Sequence, residues 1–138
     1  MKYKDFKEDI VESLEYYNDS QIDVLWIDDF YDGMLSGICD IKGKKCKAEM
    51  ISESSQEKCD WYRKYIIIEL TEQQYKEELY WHNLFLENVG NHWDNTSEQK
   101  AIGNVVHSRD KWDNFYIPYK EKYKPNFNEN KVVGWYKI

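Results

Sequence analysis

Asp28-Asp29-Phe30-Tyr31-Asp32-Gly33, followed by Met34-Leu35-Ser36-Gly37 and then Gly43, lies among alternating β-forming residues and reads as the turns of an antiparallel meander. Upstream, Ile22, Val24 and Trp26 alternate with Asp23, Leu25 and Ile27, so a strand over 22–29 is apolar on both faces at its centre. Such a strand is expected to be central or covered by a helix. Tyr31-Asp32-Gly33 supplies an Asp-Gly turn, and Met34 to Ile41 returns as a second strand in which Gly37 marks a bulge. Lys42-Gly43-Lys44 reverses the chain again, and 45–52 forms a third strand with Cys46, Ala48 and Met50 on one face. With Gly43-Lys44 as the hairpin centre, Cys39 opposes Ala48 and Ile41 opposes Cys46, which leaves the two cysteines as diagonal neighbours.

Beyond a polar loop over 52–60, the uninterrupted Tyr65-Ile66-Ile67-Ile68 places a buried fourth strand over 61–70. Thr71 and Gln74 have capping-box spacing, and Tyr75, Leu79, His82, Leu86 and Val89 follow at helical intervals until Gly90. After the polar stretch 91–96, short helices are expected over 98–106 and, with Ser108 as N-cap, over 109–116; Pro118 and Pro125 interrupt regular structure beyond them. Residues 131–138 close the chain as a strand. At the other end, Tyr3, Phe6, Ile10, Leu14 and Tyr17 recur in steps of three and four, which predicts an amphipathic helix ended by Asn18, Asp19 and Ser20. The expected fold is α+β: a mainly antiparallel sheet, made of a three-strand meander plus a fourth and a C-terminal strand, with the N-terminal helix and the long central helix packed on it. Consecutive strands disfavour a doubly wound sheet. Tyr31 to Gly37, Tyr-Asp-Gly-Met-Leu-Ser-Gly, resembles a turn of small bacterial proteins, a likeness that implies no activity.

A chain of 138 residues without an evident linker reads as a single domain, 1–138, with one core. The mean hydropathy of −0.88 is offset by six Trp, twelve Tyr and five Phe, which bring large apolar area. The net charge of −7 and the presence of only two arginines, Arg63 and Arg109, leave little material for bidentate phosphate recognition and argue against nucleic acid as a partner. No apolar run approaches the roughly 18 residues of a membrane span. Three cysteines, Cys39, Cys46 and Cys59, lack a Cys-x-x-Cys pair and fit a reducing, cytoplasmic setting better than a disulfide framework or a zinc site.

Several constellations could carry chemistry. His82 lies one helical turn after Glu78, so the pair could share a proton or, with His92, form a ligand cleft, although its place between Leu79 and Leu86 equally suits a packed histidine. The buried-strand cysteines read as small apolar residues. Asp28, Asp29 and Asp32 cluster at the first turn but lack the alternate spacing of a calcium loop. Residues 42–48 hold four lysines and no acid, whereas 20–41 hold five acids and no base; edge protection and a small anionic ligand are the competing readings of the lysines. Trp112, Phe115, Tyr116, Tyr119 and Tyr123 interleave with lysines, a pattern shared by protein interfaces and single-strand binders. Trp112 and Phe115 are expected to pack.

These features point to a small acidic, non-enzymatic protein-binding domain, such as an immunity protein or inhibitor of bacterial or phage origin, with no cofactor, metal or catalytic residue. Its partner, another protein, would contact Asp28, Asp29, Phe30, Tyr31 and Asp32 and the tyrosines Tyr116, Tyr119 and Tyr123. The alternative is a small-molecule or nucleotide binder, or a hydrolase, with a cleft around Glu78, His82 and His92. Mimicry of nucleic acid by carboxylates is the weakest of the three, because lysines are mixed among the acids.

Overall fold

The computed structural model describes residues 1–30, 33–55, 61–88 and 109–138. Tyr31, Asp32, Cys59, His92, His107 and the helix expected over 98–106 lie outside the described residues, as do the side chains of Phe30 and Trp112. The chain forms two compact units, one from Met1–Glu72 with Asn126–Ile138 and the other from Gln73–Pro125.

The first unit is built on a five-stranded sheet of order β1-β2-β3-β4-β5, with every neighbouring pair antiparallel. Its strands are β1 (Asp23–Phe30), β2 (Met34–Ile41), β3 (Lys44–Ser55), β4 (Trp61–Glu69) and β5 (Val132–Lys137). The α+β class follows from this sheet and the helices of the second unit, and the C-terminal strand pairs with β4. The β2–β3 turn is tighter than the sequence suggests. Lys42 and Gly43 both take positive φ, 53° and 85°, which defines a two-residue hairpin loop closed by Ile41 and Lys44. The register therefore moves by two residues from the expected one, and Cys39 lies directly opposite Cys46 instead of diagonal to it. Asp40 fixes the turn: its carboxylate accepts the Gly43 N–H at 2.8 Å and pairs with Lys45, and these bonds, Lys45 first, hold its carboxyl below the usual range.

Pairing puts Cys39, Cys46, Ala48, Tyr65, Ile67 and Tyr136 into one buried cluster with Met34 and Ile41. Ile38, Ile66 and Ile68, at alternate positions, are buried on the opposite face, so the β-branched run of β4 is covered on both sides. β1 departs from expectation. It is an edge strand, and Val24 and Leu25 stay 40% and 38% exposed. The register shifts fall on both strands: the pairing skips Leu25 and Asp28 on β1 and Leu35, two residues before Gly37, on β2. Gly37 is a point of close approach, where an added Cβ would lie 2.6 Å from the Trp26 carbonyl oxygen.

The expected N-terminal α-helix is replaced by short 3-10 turns, Tyr3–Asp5 and Glu8–Ser13, separated by extended backbone at Phe6 and Lys7. The reason lies in the edge of β5. Val132 N–H donates to Met1 O at 2.8 Å, Tyr3 N–H to Asn130 O at 2.8 Å, Trp135 N–H to Glu15 O at 2.9 Å and Tyr17 N–H to Trp135 O at 2.9 Å. A continuous helix would forfeit these bonds and leave the strand edge bare. The segment is thus a strap along β5, and the expected stripe is only half-buried while Val11, outside that stripe, is 3% exposed.

The second unit contains α1 (Glu72–Asn88) and α2 (Arg109–Lys122). α2 runs through Pro118 instead of stopping before it. Proline cannot donate to the carbonyl four residues earlier, that of Asn114. Asn114 and Pro118 are both exposed, so water can take the acceptor that the helix leaves open. Among the described residues no helix is long and apolar enough to cross a membrane.

Candidate functional site

On α1, Tyr80, Trp81, Leu84, Glu87 and Asn88 recur at helical spacing and share one side; on α2, Asn114, Phe115, Pro118, Tyr119 and Lys122 do the same. Together they line an open groove of about 630 Å³, within the size range of ligand and peptide sites. Its walls are held by rings. Phe85, buried on α1, meets Phe115 edge-on at 5.7 Å, and Phe115 stacks on Tyr119 at 5.5 Å. Trp81 contacts Tyr119 at 5.2 Å and 78°, and Tyr80 contacts Trp81 at 5.4 Å and 79°. Edge-to-face pairs of this kind stabilise beyond their buried area and fix ring orientation. Tyr80 and Ile117 nevertheless remain 59% and 62% exposed.

The three candidate tyrosines of this unit come together: Tyr116 stacks on Tyr119, and Tyr119 contacts Tyr123, which in turn contacts Trp81. Tyr119 lines the groove. Phe115 packs as expected. Tyr80 and Trp81 fall outside the helical stripe Tyr75, Leu79, His82 and Leu86 that the sequence pattern picks out; with Leu84 and Asn88 they form a second stripe beside it.

The acidic candidates lie in the sheet unit. Asp28, at a β1 bulge, accepts the Trp26 indole N–H at 2.9 Å and faces the Lys47 ammonium at 3.5 Å, so its charge is engaged within the sheet. Lys47, nearly buried, also lies 5.3 Å from the Phe127 ring centre. Asp29 is exposed. Tyr31 and Asp32 lie outside the described residues, as does His92 of the alternative cleft. Glu78 is buried, 4% exposed, and His82 is half-buried one turn further along α1.

Burial pushes the Cys39 and Cys46 thiols up to about 12, so both are protonated at neutral pH and poor nucleophiles. The basic hairpin tip borders a smaller hollow of about 210 Å³ where Lys42, Lys44 and Lys131 are offset by Glu15 and Glu69, the latter 3.9 Å from Lys44. Among the described residues no group of three or more His, Cys, Asp or Glu side chains is arranged to hold a metal ion. No family model, no curated protein and no solved structure matches this chain.

Proposed function

We propose that this protein is a non-enzymatic binding module that engages a partner protein through the aromatic groove of α1 and α2. The observation that carries the reading is the groove itself: Tyr80, Trp81 and Tyr119 line about 630 Å³ of open space, and Tyr80 keeps 59% of its surface in water. Rigid rings with polar tips are the side chains that dominate interface energetics, since they lose little entropy on burial and their hydroxyls can bond across the contact. The net charge of −7 favours a basic partner and a fast, salt-sensitive encounter. Protonated, buried thiols speak against Cys39 or Cys46 as a nucleophile. An inhibitor or immunity protein of the bacterial or phage cytoplasm is the form of this module that we favour.

A photo-reactive residue at position 80, introduced in the source cells, tests the reading. One predominant cross-linked protein is expected, with weaker capture at high salt. Tyr80→Ala should lower the affinity of that protein by about tenfold or more while leaving the melting temperature near that of the parent. A partner that binds this variant with parental affinity would remove the groove from consideration.

A further inference from the structure

We propose that the hollow beside the β2–β3 hairpin is a second binding site, independent of the groove, for a small carboxylate with an apolar body. Its floor and its rim differ in chemistry. Ile41 and Cys46, members of the buried core cluster, form the floor with Tyr17 and Val133, which pack against that cluster but are only half-buried. Apolar surface left at the bottom of a recess gains by being covered. The rim carries three ammonium groups, on Lys42, Lys44 and Lys131, against two carboxylates, on Glu15 and Glu69, and so holds a surplus of one positive charge on a chain whose net charge is −7. Both acids are already engaged: Glu15 accepts the Tyr17 hydroxyl at 3.2 Å, and Glu69 lies 3.9 Å from the Lys44 ammonium. Among the described residues neither Lys42 nor Lys131 is ion-paired, which leaves two ammonium groups for an incoming anion.

These two lysines stand on backbone that is held in place. Lys42 occupies the hairpin loop with φ of 53°, in the left-handed region that Asn or Gly ordinarily fills. A longer side chain kept there against that preference points to a use for it. The Lys131 carbonyl accepts the Glu69 N–H at 2.9 Å, which ties the residue before β5 to the last residue of β4. The third wall is the strap, pinned where the Tyr17 N–H donates to Trp135 O at 2.9 Å. Size and charge then narrow the ligand class. A volume of about 210 Å³ lies below the roughly 300–1,000 Å³ of drug-sized pockets and admits a body of a few carbons. One surplus charge matches a monocarboxylate, and no arginine is among the described residues lining the hollow to offer phosphate a bidentate fork. Lysines that served only to discourage edge pairing would attract anions without regard to an apolar body.

The test uses the full chain, amide-resolved NMR at low ionic strength and four probes: isovalerate, acetate, inorganic phosphate and isopentylammonium. Isovalerate is expected to shift the Lys42, Cys46, Lys131 and Val133 amides saturably and to bind about tenfold more tightly than acetate, because its additional carbons cover the floor. Isopentylammonium should leave these amides unmoved. Lys42→Gln and Lys131→Gln, both at exposed positions, should each weaken isovalerate by about two- to fivefold, the size of an exposed ion pair, without lowering the melting temperature. Equal binding of isovalerate and acetate reduces the site to diffuse attraction by surface lysines and overturns the proposal, as does parental isovalerate affinity in both lysine variants. Tighter binding of phosphate than of isovalerate overturns the carboxylate assignment, and isopentylammonium in the hollow overturns the choice of an anion. Absence of a saturable shift at the four amides overturns the site itself and leaves the groove reading untouched.

Discussion

Tyr65 and Tyr136 stack 4.8 Å apart at 13°, both almost wholly buried, yet their hydroxyls stand in opposite situations. Tyr65 donates to the Met34 carbonyl at 2.7 Å, an acceptor that it shares with the buried Arg63 guanidinium at 3.3 Å. The Tyr136 hydroxyl has no hydrogen-bond partner among the described residues, and burial pushes its pKa upward. Removing a desolvated hydroxyl without a partner costs little, whereas removing one that bonds a buried carbonyl leaves the carbonyl under-satisfied. Tyr136→Phe is therefore expected to be neutral or to stabilise by up to about 1 kcal/mol, and Tyr65→Phe to destabilise by about 1 kcal/mol, in urea unfolding. The reverse order would show that the Tyr136 hydroxyl is bonded and the Tyr65 hydroxyl is not.

Among the elements, the strap along β5 depends on Gly134. A Cβ there would lie 2.5 Å from the Glu15 carbonyl oxygen and 2.5 Å from the Tyr17 ring. Gly134→Ala is expected to push the strap off the strand at a cost of about 1–3 kcal/mol. Faster hydrogen exchange at the Tyr17 and Trp135 amides, with the β2 and β3 amides unchanged, would register it; protected amides at both positions would mean that the strap accommodates the methyl group. This same element was the hardest to read from sequence. Steps of three and four residues fit an amphipathic helix, but they fit short 3-10 turns as well, and the decisive term is a set of backbone bonds to a strand more than a hundred residues later. β2 and β4 are legible because Asp-Gly and Lys-Gly turn residues bound Met34–Ile41 on both sides, and because the β-branched run Ile66-Ile67-Ile68 suits a strand better than a helix. Pro118 predicts a stop, whereas α2 continues through it to Lys122, because an exposed carbonyl can turn to water. The same limits apply to the site. Residue type alone singled out Tyr116, Tyr119 and Tyr123, whereas Tyr80 and Trp81 required knowing which side of α1 faces α2.

For the whole molecule, alkaline pH is the condition that the interior resists. Burial raises the Cys39 and Cys46 thiols from 9.0 to about 12, and burial first, then the bond to Glu49, raises the Tyr3 hydroxyl from 10.0 to about 12. A group whose folded pKa exceeds its unfolded one stabilises fully below the unfolded value and loses that contribution as pH climbs to the folded one. Thermal stability is therefore expected to decline between about pH 9 and pH 12, and Cys39→Ala with Cys46→Ala should flatten the early part of the decline. An unchanged profile in that variant would place the loss in other groups. The strap has a further consequence, for the order in which contacts form. Hairpins β1–β2 and β2–β3 join neighbours in sequence, while Lys2 and Lys4 reach Glu129 across separations of 127 and 125 residues. Closing so long a loop demands chain entropy that short hairpins do not, so the meander gains its contacts early and the strap with β5 gains them late. Until then β4 is an open edge, and its isoleucine row is the surface on which a folding chain is most exposed to mispairing with another chain.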